Sequence, residues 1–226
     1  LIQKKQIIVA SIATNEETDN HLITKMIDEG KENSGKVANV TLGDAGYFSG
    51  EEISKAETKG YTILVNEPPK ISKKAEGFRK EDFEYNKDKD IYVCPSNREL
   101  EFRHKIKKRN KNRLIKVYRC KEHKTCSNRA LCSSNKTGRR IERYEFEESL
   151  ENQRAKQKLK ENKKLLKKRA QIVEAVFGWI KHNGNFTRWH YCCLESVEAQ
   201  WLLLCSSIKL RKLYRVWDVK GLVYSN

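Results

Sequence analysis

The sequence predicts an α/β fold interrupted by a small segment of different composition. Three observations predict it: a β-turn-α-β rhythm over residues 37–65, an amphipathic helix at residues 169–181 (RAQIVEAVFGWIK), and between them a basic stretch holding Cys94, Cys120, Cys126 and Cys132. At 226 residues the chain can bury a real core, as one domain or one domain with an insertion.

Residues 7–12 are apolar and β-branched and read as a strand. A polar turn follows, then a helix with Thr18 as N-cap, Leu22, Ile23, Met26 and Ile27 as its apolar stripe, and Gly30 as its stop. Residues 31–36 read as a loop. In residues 37–44, Val40 and Leu42 alternate, which puts Asp44 on the same side at the strand's C-terminal end. Ala45-Gly46-Tyr47 breaks the strand. Ser49 and Glu52 form a capping box that opens a helix running to about Lys59, with Gly60 just past its end. Residues 61–65 are the next strand. An Asp at the carboxyl end of a sheet strand stands where α/β proteins place chemistry. An Asp ahead of Gly also serves simply to make a turn.

Pro68-Pro69 ends that pattern, and residues 70–140 carry no long amphipathic helix. Residues 145–168 read as a charged helix whose lysines (Lys156, Lys160, Lys163, Lys164, Lys167) either track phosphates or only face water. Residues 183–190 are a basic, aromatic turn with Phe186, Arg188 and Trp189. Residues 194–213 read as a core helix with Val197, Trp201, Leu204, Ile208 and Leu210 on one side. Arg211, Lys212 and Arg215 close it with cations, as its dipole favours. The expected divisions are 1–68 for the first part of the core, 69–144 for the insertion, 145–215 for the helices completing the core, and 216–226 for a tail.

The net charge of +17 implies a polyanionic partner, nucleic acid rather than a membrane surface. The charge is concentrated: residues 1–90 carry 14 Lys/Arg against 17 Asp/Glu, and residues 101–140 carry 15 against 2. No run of 18 apolar residues exists, so no membrane span is expected. No signal peptide is visible at residues 1–13, and a chain that does not begin with Met reads as a fragment. The odd count of 7 cysteines without secretory context reads as reduced thiols or metal ligands, not a disulfide framework. Cys120-x2-His123-x2-Cys126-x5-Cys132, with Cys94 upstream, offers five candidates for the four places around a tetrahedral Zn²⁺. Free thiols are the alternative. Cys192, Cys193 and Cys205 lack ligand spacing and read as packing thiols.

In the 169–181 helix, Ile172, Val173, Val176, Phe177 and Ile180 form the apolar stripe. Glu174 lies off it, and Lys181, seven residues on, falls within about 20° of Glu174 at about 100° per residue. A carboxylate and a cation thus share one face. That is either a solvated face or a metal-binding carboxylate with a phosphate-gripping neighbour, and the second reading requires another carboxylate. Asp44 is the candidate.

Asp44 in GDAGYFSGEEI and Glu174 in VEAVFGWIK, with TNEETD, GFRKEDFEYNKDKDIYVCP, YRCKEHKTC…LC and LLLCSSIKLRKL, make the chain resemble the DDE transposases of bacterial insertion sequences. The similarity is to the branch whose catalytic domain carries a cysteine-bearing insertion between the second and third acidic residues, and it runs over nearly the whole chain. The resemblance implies an RNase H-like fold in which three acidic residues hold two Mg²⁺ ions for phosphodiester cleavage and strand transfer. It also implies transposon ends and target DNA as partners, a homodimer in the full-length family, and a bacterial cytoplasmic, nucleoid-associated location. By position Asp44 matches the second acid and Glu174 the third. Lys181 matches the basic residue that contacts DNA near the cut, with Lys168, Arg169 and Arg188 as further DNA-binding candidates. Mg²⁺ prefers hard oxygen ligands, hence carboxylates at these positions.

The departures are specific. The first acid belongs to an earlier strand than any in this chain, since Asp19 and Asp28 fall in a turn and a helix. Leu166 and Arg169 stand near the family's tyrosine and arginine, His123 stands where the family often has cysteine, and Lys209 stands where Asn is usual. The expectation is a transposase fragment that does not cut DNA as an isolated chain. A non-catalytic DNA-binding remnant acting through the basic insertion is the alternative, and a zinc-dependent structural protein is a third.

Overall fold

The computed structural model describes residues 2, 6–69, 77–108 and 113–219. In chain order these form α1 (Ile23–Ser34), β1 (Thr41–Gly43), α2 (Gly50–Thr58), β2 (Ile63–Val65), β3 (Glu84–Asn86), β4 (Ile91–Val93), β5 (Glu99–Lys108), β6 (Arg113–Cys120), α3 (Arg129–Cys132), β7 (Arg140–Tyr144), α4 (Glu147–Lys158), α5 (Lys160–Gly178) and α6 (Leu194–Val219). They fall into two compact units, Leu1–Pro68 with Ser149–Asn226, and Pro69–Glu148. The class is mixed α/β. The end of the expected tail, residues 220–226, lies outside the described residues.

In the first unit β1 and β2 pair in parallel, with Leu42 opposite Leu64, and α2 connects them. Ile23 and Ile27 of α1, Ile53 and Ala56 of α2, and Ile63 and Val65 of β2 bury one another. The end of α2 follows the sequence closely. Gly60 takes φ +78°, its N–H reaches the Glu57 carbonyl at 2.9 Å, and the Tyr61 N–H reaches Ala56 at 2.9 Å. This is the paired closure that satisfies the last carbonyls of a helix. The start of α2 departs from it. The Glu52 carboxylate, 3% exposed, accepts from Thr24 Oγ1 and Lys55 Nζ, both at 3.0 Å, instead of bonding back to Ser49. A buried carboxylate takes the strongest donors in reach, and the capping box does not form.

Three further expectations are corrected. Residues 7–12 form no strand: Ile8 makes one bridge to Ile2 and is buried with Val176, Ile180, Cys205 and Ile208. α1 runs past Gly30, which is buried inside it, and ends at Gly35 with φ +68°. The charged helix is two helices, broken at the extended, exposed Leu159.

α4 completes the small sheet. Gln153, 0% exposed, donates from Nε2 to the Ile63 carbonyl at 3.0 Å and accepts from the Val65 N–H at 3.4 Å. Gln157 donates to the Val65 carbonyl one turn on. Two side-chain amides thus do for β2 what a neighbouring strand would do for its edge.

The apolar stripe of α5 packs on α6, not on the β1–β2 sheet. Val176 and Ile180 join Cys205 and Ile208, and Phe177 stacks on Trp201 with ring centroids 6.1 Å apart. Cys205 is the packing thiol expected, whereas Cys192 and Cys193 are exposed. Leu210 is 66% exposed, because two residues from Ile208 is nearly the opposite face of a helix. α6 also continues past Arg215 to Val219.

The second unit is an antiparallel sheet ordered β3-β4-β5-β6-β7. Its core joins Phe83, Tyr92, Leu100, Tyr118 and Ile141. Asp90, at φ +51° in the β3–β4 turn, accepts from Tyr85 Oη at 2.6 Å, Tyr118 Oη at 2.5 Å and Lys116 Nζ at 2.9 Å. Burial pushes its carboxyl up, but these three donors outweigh burial and hold it down at about 2. Burial, with Asp90 beside it, pushes the Tyr118 phenol up.

Candidate functional site

Asp44 sits where the sequence puts it, immediately after β1. Its Oδ1 accepts the Gly46 N–H at 3.1 Å, so it makes the turn, and its Oδ2 accepts from Arg169 Nη2 at 3.0 Å. The turn-forming reading of Asp44 therefore holds. Gly43 allows the close packing here: an added Cβ would stand 3.1 Å from Val65 Cγ2 and 3.4 Å from Ile23 Cδ1. The Asp44 side chain remains 48% exposed, open to a ligand. The 3-10 turns Asp19–His21 and Ala45–Tyr47 pack together. Burial pushes the Tyr47 phenol up, and Asp19 and Asp44 add to it. Asp19, a turn residue by sequence, is thus an electrostatic neighbour of Tyr47 together with Asp44. Asp28 is committed elsewhere, to Lys59 Nζ and Tyr61 Oη, both at 2.6 Å.

Glu174 lies on α5, the helix that brings Arg169 to Asp44 and lies against β1. It is exposed and has no hydrogen bond or ion pair among the described residues. Lys168, Lys181 and Arg188 are likewise exposed and unpaired there. Of the four DNA-binding candidates, only Arg169 is engaged, on Asp44. α5 passes at Gly178 into a π-helical turn, Trp179–Asn183, in which the Gly184 N–H reaches the Trp179 carbonyl at 2.9 Å. The wider turn changes the pitch of the helix between Glu174 and Lys181. Sequence periodicity gives no signal for that change of pitch.

Asp44 and Glu174 supply the hard oxygen donors that Mg²⁺ takes. Yet no group of three or more His, Cys, Asp or Glu side chains among the described residues stands in a metal-holding arrangement. The donor chemistry fits, and no group of three such ligands is formed around either carboxylate among the described residues.

In the second unit Cys94, Cys120, His123, Cys126 and Cys132 line one cavity, and all four thiols are free. Burial pushes the Cys120 and Cys132 thiols up. Next to it, Arg103, His104, Arg119, Lys121, Lys124 and Lys136 line an open basic hollow. Lys121 pairs with Glu101, whereas Arg103, Lys124 and Lys136 have no partner among the described residues. The charge run is plain in the sequence but the hollow is not, because the β5–β6 pairing that assembles it has no residue-level signature among so many lysines.

A family model described as Transposase DDE domain matches residues 93–214, more than half of the chain, and the chain belongs to this family of DDE-type transposase domains. The matched span contains Glu174, Lys181 and the cysteine cluster, and Asp44 precedes it. No curated protein and no solved structure matches the chain. No described helix is long and apolar enough to cross a membrane.

Proposed function

We propose that this chain acts in DNA transposition, binding transposon-end and target DNA for Mg²⁺-dependent strand cleavage and transfer within an RNase H-like domain. The observation that carries the reading is the ion pair between Asp44, at the carboxyl end of β1, and Arg169, on the helix that bears Glu174. It ties the two acid-bearing elements together.

Asp44 and Glu174 would hold Mg²⁺ in this reading. The ions would supply Lewis-acid stabilisation to the attacking and leaving oxygens of an in-line phosphodiester displacement. The residues themselves have separable tasks. The Gly46 N–H fixes one Asp44 oxygen by the turn. Arg169 neutralises the other, and when a cation takes that oxygen the guanidinium is released to a phosphate, for which its planar fork is suited. Lys181 and Arg188, exposed and unpaired, supply phosphate contacts near the cut.

Because the chain by itself is expected not to cut DNA, the test uses an enzyme in which it is joined to a segment supplying the first acid, with labelled duplexes carrying the terminal repeats of the element that encodes it. With Mg²⁺ present, end nicking should fall at least about 100-fold in Asp44→Asn and in Glu174→Gln, a loss of about 2.7 kcal/mol in transition-state stabilisation, with binding unchanged in a gel shift. Nicking at wild-type rate in either variant would remove that residue from the site.

A further inference from the structure

The second unit holds a cluster that the proposed strand chemistry does not use. Cys94, Cys120, His123, Cys126 and Cys132 surround a cavity of about 20 Å³, room for about one water-sized body. We propose that this is a Zn²⁺ site whose ligands are Cys94, His123 through Nε2, Cys126 and Cys132.

His123 is the strongest observation. Its Nδ1 lies 3.3 Å from the Cys120 carbonyl, so that N–H donates there and leaves the lone pair on Nε2. Nε2 is buried and has no hydrogen-bond partner. An orphaned buried acceptor is costly, and a metal-ligating imidazole characteristically gives its other N–H to a carbonyl in this way. Gly138 makes room for the ring: at φ +81°, an added Cβ would stand 2.7 Å from His123 Cβ and Cγ.

Cys94 is prepared as well. Its sulfur accepts the Arg98 N–H at 3.3 Å within a turn closed by Asn97 at φ +56°, a donor placement that suits a thiolate. Cys126 follows the 3-10 turn of His123, and Cys132 ends the one-turn helix α3.

Five candidates for four places leave one over, and Cys120 is the one whose backbone is fixed in a strand. Cys120 belongs to β6 and is held opposite Leu100 in the sheet. The other four sit in turns or at the end of a single helical turn; among the described residues they do not stand in a metal-holding arrangement, and an ion would have to draw them in. Binding releases three thiol protons and leaves one negative charge on the site. Arg98, Arg129 and Arg139 line the same cavity and offset that charge.

The test is the zinc content of the full chain purified without added metal, expected at about one ion per chain. Co²⁺ titration of the chelator-stripped chain should give sulfur-to-metal charge-transfer absorption. His123→Ala and Cys126→Ser should each weaken metal binding by at least about tenfold, and Gly138→Ala should do the same by displacing the ring. Cys120→Ser and the exposed-site control Cys192→Ser should bind as wild type. Release of about three protons per Zn²⁺ returned to the stripped wild-type chain tests the ligand set without any variant. No zinc and no Co²⁺ absorption overturns the site, and wild-type affinity in His123→Ala or tenfold weaker binding in Cys120→Ser overturns the ligand set.

Discussion

Asp90 shows how one side chain organises the second unit. Tyr85 and Tyr118 give it their hydroxyls and Lys116 its ammonium, from β3 and β6. Its folded carboxyl titrates at about 2, against an ordinary value of 3.8. A depressed carboxylate contributes stability that is present in full above its unfolded pKa and is lost as pH falls through the folded one. The β4–β6 amides should therefore lose hydrogen-exchange protection between about pH 4 and pH 2. Asp90→Asn keeps the left-handed backbone that Asn tolerates and removes the charge. It should flatten that acid limb. Exchange mass spectrometry of residues 91–120 at about pH 6 and about pH 3, on either side of the unfolded pKa, measures it. Identical limbs in the two proteins would assign the acid sensitivity to other carboxylates.

Among the elements, the edge of β2 makes the sharpest case. Gln153 closes it from α4 by pairing with the carbonyl of Ile63 and the N–H of Val65. Gln153→Leu should leave both backbone groups unpaired in a dry site, at about 1–3 kcal/mol for each group so stranded. Urea unfolding followed by tryptophan fluorescence measures this, because Trp179, Trp189, Trp201 and Trp217 all lie in the first unit. A midpoint within error of wild type would show that water takes over the pairing. Such a device is not legible in sequence, since two glutamines in a charged helix look like any solvated pair. Short-range signals are legible: the αL stop at Gly60, the Asp44 turn and the burial of Cys205. What escapes the sequence depends on distant partners. Ile8 joins a helical core in place of a strand, Glu52 gives up its cap for Thr24, and the α5 stripe finds α6 in place of the sheet. Asp44 and Glu174 are legible as residues, but the link between their elements runs through Arg169, which the resemblance assigns to DNA.

At the scale of the molecule the charge of +17 is presented in two chemically distinct parts. Lys168, Lys181 and Arg188 offer exposed cations on the first unit, and the basic hollow with Arg103, Lys124 and Lys136 offers them on the second. Each cation that neutralises a DNA phosphate releases a counterion, and the slope of log K against log salt falls by about 0.9 for each cation so engaged that is taken away. Arg103, Lys124 and Lys136 are unpaired among the described residues, so replacing all three by Gln costs no ion pair and should leave thermal unfolding unchanged. The triple variant should bind any duplex more weakly, with its salt slope shallower by about 2 to 3 units, roughly one for each phosphate no longer neutralised. If Lys181 contacts DNA beside the cut, as proposed, Lys181→Ala should lower the slope by about 1 and also reduce end nicking in the enzyme with its first acid supplied. Fluorescence anisotropy with a random-sequence duplex between about 50 and about 200 mM salt reads both slopes. If the triple variant's line runs parallel to wild type, the hollow does not face DNA. The polyanion would then be met by the first unit, and the positive charge of the second would serve to offset the thiolates of the proposed zinc site.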